Sequence, residues 1–513
     1  MPFDQARFLP LAALIVGFML APGCAVDPGS AQREPILLTT EDEIAFGEER
    51  FPQQQQVSGG LYTVDPAVSR YVASVGARVA AVSDRALPYE FVVVNDGTPN
   101  AWALPGGKVG IHRGLLVELE NEAELAAVLG HELVHAARKH WRDQIQGGVQ
   151  SELGDSGVAA LADDSNPAAV QPGLGLANLN YGRNAERESD YYGMKYLHAA
   201  GYDTAAAVTV QEKFVDLSDR RQSRWQRRFR SHPPSLERLA NNRAALNEFP
   251  PGGELGTARY QAHMATLLRD RDAYDLAEQA QRTARNDPAA AARLIDKAIS
   301  QQPREALFHS IGGDILASLG HHADAVRAYG KAIERDPDYF AYYVRRGLAH
   351  ERLGEQRLAR EDLARSNSLL PTPFASYRLG GYALADGDRA EAKRQFQVAG
   401  RSRGGLGAAA RAAYVRLDLE DAPWKYVRAG LGTDTGQIVL RIVNTSDYPV
   451  ADIVVRVEME IDGITSYRQL RMKHLDPGTY DDLETGIYRG ITSLGPDWVT
   501  VARAQIVGAA PGW

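Results

Sequence analysis

The residues with the clearest chemistry lie within five positions of one another. His131-Glu132-Leu133-Val134-His135 falls inside a stretch whose apolar residues, Leu125, Val128, Leu129, Leu133 and Val134, recur at helical spacing. Asn121, with Glu124 three residues on, reads as the cap, and the pattern predicts a helix over 121–143. Residues i and i+4 share a helix face, with Cβ atoms about 5–6 Å apart. Two imidazoles so placed reach one Zn²⁺ at about 2.0–2.1 Å. Glu132 falls beside such a metal rather than on it, where it can take a proton from a bound water. A catalytic zinc has three protein ligands and one open position. The stretch Arg183–Asp190 reads as a second helix with Glu186 and Asp190 on one face. Glu186 is the expected third ligand, and Asp190 the acceptor that orients one of the histidines, with Glu188 pointing elsewhere. Without the histidine pair, the same acidic stretch would read as a solvated helix face. His140 reads as structural or exposed rather than as a ligand, and His321-His322 as an inter-helix turn without metal.

These helices need a frame. The chain has 513 residues, 44% hydrophobic and 24% charged, which suits several globular domains and excludes a mostly disordered chain or a polytopic membrane protein. A net charge of −8 argues against nucleic acid as a partner. The lone cysteine, Cys24, excludes an intrachain disulfide, a Cys-based zinc cluster and a Cys-ligated iron–sulfur centre. Thr39 followed by Glu41-Asp42-Glu43 marks a helix start. Tyr89–Val94 reads as a buried strand. The Gly-, Ala- and Ser-rich stretch 144–181 is either a functional loop or a disordered insertion, with a short helix at Val158–Ala162.

Beyond residue 260 the pattern repeats. Pro303, Pro337 and Pro371 are 34 residues apart, with Gly313 and Gly347, Gly320 and Gly354, and Ala291, Ala325 and Ala359 in the same phase. A 34-residue period is that of the tetratricopeptide repeat. A later copy with Gly381, Ala392, Phe396 and Ala399 is one residue shorter, giving three and a half to four repeats. The last segment turns to strands at Gln437–Val443 and Ile453–Ile461, with a hairpin turn at Asp462-Gly463. At the other end, Arg7, an apolar run from Leu9 to Leu20 and Ala21-Pro22-Gly23-Cys24 form an export signal, too short for a membrane span. It resembles a bacterial lipoprotein signal with Cys24 as the lipidated residue, although Ala21 stands where a branched apolar residue is usual. Plain export without lipid and an uncleaved anchor are the alternatives.

Four separated stretches, in order, resemble the gluzincin metallopeptidases related to the CAAX prenyl protease and the membrane heat-shock zinc peptidase. They are Asn100–Gly107, Arg113-Gly114-Leu115-Leu116, His131-Glu132-x-x-His135 with Glu186-x-x-x-Asp190, and Ser231-His232-Pro233-Pro234-Ser235-Leu236-Glu237-Arg238. Trp102 stands where Phe is usual, and Ser189 where Ala is usual. With the export signal and the repeats, the chain is similar to the family's periplasmic branch. The resemblance covers about residues 40–245, and with the patterning of the rest of the chain the expected fold is multidomain: signal peptide 1–24, tether 25–40, a mainly helical zincin-like metallopeptidase domain with a small β-sheet over 41–250, an α-solenoid of tetratricopeptide repeats over 260–420 and, from the strand pattern alone, a C-terminal β-sandwich over 424–513. It implies one Zn²⁺ per chain, held by His131, His135 and Glu186, with Glu132 as general base. Asn100, Ala101, Trp102 and Ala103 form either a strand edge for an extended peptide or a Gly-Pro turn with a core Trp. His232 either fills the open metal position and holds the enzyme latent, or belongs to a loop capping the helix after it. Arg238 is a candidate for stabilising the oxyanion. The implied activity is an envelope endopeptidase in protein quality control. Its substrates would be unfolded or misassembled exported proteins, its repeats would bind protein partners, and lipidated Cys24 would anchor it to the outer membrane in the periplasm. The alternative is a non-proteolytic assembly or chaperone-like scaffold using the repeats, with a latent zinc site.

Overall fold

The computed structural model describes residues 39–142, 181–220, 232–233, 235–402, 404–434, 437–461, 464–488 and 499–506. Cys24 and its signal, the tether up to residue 38, the Val158–Ala162 helix and the Asp462-Gly463 turn lie outside these residues.

Thr39 caps helix α1 (Thr40–Val57) reciprocally. Its hydroxyl accepts from Asp42 N at 3.1 Å, and the Asp42 carboxylate accepts from Thr39 N at 3.2 Å. Helix α2 (Pro66–Ala80) buries Val68, Val72, Val75 and Val79, one stripe at helical spacing. A three-stranded sheet follows: β1 (Glu90–Val94), β2 (Ala101–Leu104) and β3 (Lys108–His112), in the order β1-β3-β2. β1 runs parallel to β3 and β2 antiparallel to it, so β2 is an edge of this sheet. All four β2 residues are buried, and Trp102 packs edge-on against Phe51 of α1, ring centroids 6.0 Å apart. Asn100–Ala103 thus joins the two sequence readings, an edge strand whose Trp is core.

A short helix α3 (Arg113–Leu116) leads into α4 (Glu122–Ala137), capped by Asn121, whose side chain accepts from Glu124 N at 2.9 Å. α4 is buried on almost every side, which makes it the central helix. It stops at Ala137 rather than running to 143. Lys139 adopts φ 58°, and His140 N donates to His135 O at 3.1 Å, which folds the chain back on the helix end. Two later helices pack on it, α5 (Arg183–Ala199) and α6 (Ala206–Arg220), and α7 (Leu236–Leu246) packs on both of those. α4 and α5 cross where Gly130 faces Gly193. A Cβ on Gly193 would lie 3.2 Å from His131 N, so the glycine lets the two backbones touch beside the histidine.

Helix pairs then run from Thr257 to Asp421. In three successive pairs, a glycine on the first helix meets a large side chain on the second: Gly313 and Tyr329, Gly347 and Leu363, Gly380 and Phe396. The third contact uses Gly380, not Gly381, because the last copy is one residue short. One apolar cluster runs from Tyr62 through α4 to Ile315, across the 250/260 boundary read from the sequence. Tyr260 OH donates to Leu116 O at 2.6 Å within it.

The C-terminal segment forms two antiparallel three-stranded sheets. One has the order β4 (Val427–Asp434), β5 (Gln437–Asn444), β8 (Tyr480–Tyr488). The other has β7 (Ile464–Leu475), β6 (Val450–Ile461), β9 (Val499–Ile506). Ile442, Val455 and Met472 from the two sheets share one apolar cluster. Among the described residues, no helix is long and apolar enough to cross a membrane.

Candidate active site

α4 and α5 deliver their side chains to one point. His131 Nε2 and His135 Nε2 are 3.1 Å apart, and Glu186 Oε1 is 3.4 Å from His135 Nε2. Glu186 Oε2 is 3.6 Å from His131 Nε2. His232, on the approach to α7, brings Nδ1 to 3.2 Å from His131 Nε2 and 3.0 Å from Glu186 Oε1. Ligand-type atoms of His131, His135, Glu186 and His232 all lie within 4.8 Å of one another. Donors at about 2.0–2.1 Å around a tetrahedral Zn²⁺ are roughly 3.3 Å apart, so these spacings fit one ion. Three imidazoles aiming ring nitrogens at one buried point have no mutual hydrogen-bond scheme that satisfies them all, whereas a cation does. The donor set, imidazole nitrogen with one carboxylate, is one that suits zinc.

The electrostatics point the same way. Glu132, Glu186 and Asp190 are buried around the guanidinium of Arg238, an excess of negative charge that favours a cation. Burial pushes Glu186 up, but the imidazoles of His232, His131 and His135 outweigh it and hold the carboxyl well below its usual range. Burial also pushes Asp190 up, and Arg238 with His131 reverses that. His135 is driven well below its ordinary value, chiefly by burial, so its ring is neutral as a ligand must be. For His131, burial lowers the value, while Asp190 and Glu186 outweigh it and lift the ring to about 9, so this ring carries a proton that a bound cation would have to displace.

Around the cluster each partner has a task. Asp190 Oδ1 lies 3.0 Å from His131 Nδ1, which fixes that ring's outer nitrogen. Arg238 donates from Nη2 and Nε to Asp190 at 2.7 and 2.8 Å, and Nη1 is 2.6 Å from Glu186 Oε2. Its fork is thus engaged on the carboxylates, a positioning arrangement that leaves it badly placed for an oxyanion. Ser235 caps α7, accepting from Arg238 N at 3.1 Å, so the capping reading of this loop and the placement of His232 at the cluster hold together. Glu132 Oε1 is 3.3 Å from His232 Nε2, and its other oxygen is buried without a hydrogen-bond partner among the described residues.

Three contacts lay beyond the sequence reading. Tyr181 stacks on His135, with ring centroids 3.8 Å apart. His140 is no ligand, but its Nδ1 sits 3.1 Å from His135 Nδ1. Glu188, read as pointing elsewhere, brings Oε2 within 3.4 Å of His140 Nε2. A ring five residues before Glu186 and another five residues after His135 were the available signals. Neither interval matches a helix face, so spacing alone assigns Tyr181 no role and leaves His140 as structural or exposed.

Comparison with known proteins is consistent with this geometry. The model of peptidase family M48 matches residues 66–245, and that of a TPR repeat matches residues 313–354. The chain is 29% identical over 266 residues to the beta-barrel assembly-enhancing protease of Escherichia coli (strain K12), covering 48% of this chain and 54% of that one. It is 34% identical over 174 residues to the mitochondrial metalloendopeptidase OMA1 of Schizosaccharomyces pombe, covering 33% of this chain and 50% of that one. It is 32% identical over 171 residues to the metalloprotease YcaL of Escherichia coli (strain K12), covering 30% and 61%. The match thus spans about half the length of the first two relatives. Residues 66–245, with the His131, His135 and Glu186 cluster at their centre, are a domain of peptidase family M48, carried on a chain that also holds a TPR repeat.

Proposed function

We propose that this chain is a zinc-dependent endopeptidase of the bacterial cell envelope that acts in protein quality control. The observation that carries the reading is the convergence of His131, His135 and Glu186 on one point with the Glu132 carboxylate beside it. A zinc ion held there supplies a Lewis acid for the peptide carbonyl and lowers the pKa of water toward 7. The other steps belong to the chain. The edge of β2 lines the cleft through Asn100 and Ala101 and offers main-chain pairing to an extended peptide. Glu132 takes the proton of the attacking water and returns it to the departing amine nitrogen. Asp190 and Arg238 hold His131 and Glu186 in place. His232 stands where the substrate carbonyl must come, so it acts as a latch that has to withdraw before catalysis.

The same reading assigns the repeats to recruiting partners or substrates. It assigns residues 424–513 to a β-sandwich, supported by the apolar cluster that the two sheets share. The envelope location and the lipid anchor rest on the sequence around Cys24, and a Cys24→Ser variant found in the soluble fraction would support them.

The test is bound zinc together with casein digestion. Glu132→Gln is expected to keep one zinc per chain and to lose about 10²–10⁴-fold in rate. Undiminished cleavage removes Glu132 as the base. His232→Ala is expected to cut faster than wild type, and equal or slower cutting ends the latch. Capture of protein partners by the Glu132→Gln chain with an unchanged cellular phenotype would favour the scaffold alternative.

A further inference from the structure

A groove of about 500 Å³ lies between α2 and the helix Thr257–Arg269, the first of the paired series, and it shares no lining residue with the cleft at His131. α2 supplies Arg70 and Arg78, two turns apart on one face, and the facing helix supplies Arg259 and His263, one turn apart. The floor is fixed by Glu122, the first residue of α4. Its buried carboxylate accepts from Tyr71 OH at 2.6 Å, from Tyr202 OH at 2.7 Å and from the Arg259 guanidinium. Arg78 lies over the Tyr202 ring at 4.0 Å, donates to Ala200 O at 2.9 Å and shares Glu254 with Arg259, each at 2.7 Å. His263 stacks on Tyr71, with ring centroids 4.1 Å apart. The walls are thus held in place before any ligand arrives.

The charges in the groove do not balance. Arg78 and Arg259 are matched by Glu122 and Glu254. Arg70 is exposed and has no ion pair or hydrogen bond among the described residues. The ring nitrogens of His263 and Nη1 of Arg259 also lack a hydrogen-bond partner among those residues. Donors on two facing helices, one of them an uncompensated guanidinium, suit an anion that accepts from several directions. A carboxylate offers two oxygens in one plane, whereas a phosphate offers three or four around a tetrahedron, and guanidinium groups pair with it through their planar forks. We propose that this groove binds a phosphate group, free or carried on a larger molecule such as a lipid headgroup. Arg70 answers its charge, and His263 and Arg259 donate to the remaining oxygens. The bound group then ties the peptidase domain to the first helix of the paired series.

The test is isothermal titration of the full zinc-loaded chain with inorganic phosphate, against chloride and acetate at equal ionic strength. A second arm is flotation with phosphatidylcholine vesicles, with and without phosphatidic acid. Phosphate is expected to bind and to raise the melting temperature, and chloride and acetate to do neither. The net charge of −8 disfavours a general attraction to anions, so dependence on a single arginine reads out the groove. Arg70→Gln is expected to weaken binding by about 10–100-fold, the worth of hydrogen bonds to a charged group. Arg293→Gln, which removes another exposed arginine from the helix Pro288–Gln301 outside the groove, is expected to change nothing. Ligand-free melting and zinc content equal to wild type show that each variant keeps its fold. Arg70-dependent binding of phosphate without vesicle binding supports the site and assigns a soluble phosphorylated ligand. Arg70-dependent capture by phosphatidic acid supports it and assigns a lipid headgroup. Binding that Arg70→Gln leaves unchanged, an equal loss in Arg293→Gln, acetate held as tightly as phosphate, or no binding of either probe overturns it.

Discussion

His135 is held from both ends of its ring. Nε2 faces the shared ligand point, so with a metal in place the remaining proton sits on Nδ1. His140 Nδ1, 3.1 Å away, accepts it, which puts the proton of His140 on Nε2, where Glu188 Oε2 at 3.4 Å receives it. Carboxylate, imidazole and ligand imidazole thus form one consistent chain of donors and acceptors, parallel to the direct Asp190 contact on His131. Ser189 Oγ, 3.3 Å from His140 Nδ1, adds a hydroxyl where the family's usual alanine has none. His140 is a positioning residue, and its removal is expected to weaken zinc binding by about 10–100-fold, measured by competition with a chromogenic chelator. Glu188→Gln should fall between wild type and His140→Ala, because the amide can still accept the His140 proton. Unchanged affinity in His140→Ala would show that Tyr181 stacking alone orients the ring. The ligand pair and Glu186 were legible because helical spacing puts them on faces. His140 was not, because the turn that returns it to His135 depends on a positive φ at Lys139, a residue type that does not announce one.

The repeats show why a glycine can be worth more than a helix former. A glycine inside a helix costs about 1 kcal/mol relative to alanine, so an idle one is improved by replacement. Gly330, in the helix His322–Arg335, is such a case: the nearest atom to a Cβ there is Arg346 Nη1 at 3.9 Å. Gly313 is the opposite case. A Cβ there would come within 2.5 Å of the Tyr329 ring, and Tyr329 is pinned by donating to Asp314 Oδ1 at 2.8 Å. Gly330→Ala is expected to raise the stability of the repeats by up to about 1 kcal/mol. Gly313→Ala should lower it by about 1–3 kcal/mol through overpacking. Urea unfolding followed by circular dichroism separates the two, and a stabilising Gly313→Ala would mean that the helices of the pair can part without loss. The 34-residue period made this contact readable at Gly313 and Gly347. In the third copy the one-residue deletion is legible at Ala392, Phe396 and Ala399, but the glycine that meets Phe396 is Gly380 rather than its neighbour Gly381, which composition alone does not tell apart.

Peptidase domain and repeats are joined by polar contacts, part-exposed at Gln56 and buried at Asn95, as well as by the shared core. Gln56 of α1 brackets the start of the helix Phe340–Arg352, donating to Asp338 O at 2.6 Å and accepting from Phe340 N at 2.8 Å. Asn95 links both sides at once. Its amide donates to Glu305 Oε1 and its carbonyl accepts from Arg113 Nε, each at 2.9 Å. Glu305 in turn caps the helix Ala306–Ser318 and accepts from Tyr274 OH, while the Arg113 guanidinium lies 3.4 Å over the Tyr274 ring. None of this carries a periodic signature, and pairs more than 200 residues apart have no local pattern, so the sequence reading drew a boundary at 250–260 that the core crosses. A seam of this kind couples the stability of its two sides. Calorimetry is expected to show the peptidase domain and the first repeats melting in one transition. Asn95→Ala strips a hydrogen bond from each of two buried charged groups, a loss of about 2–4 kcal/mol. The common transition should drop by several degrees, and adding Gln56→Ala should split it in two, with zinc content unchanged. If wild type already melts in two steps and Asn95→Ala moves neither, the repeats are a tethered neighbour. If the single transition splits as expected, whatever binds the repeats can alter the stability of the helices that hold His131 and Glu186, and partner binding then has a physical route to the proposed latch at His232.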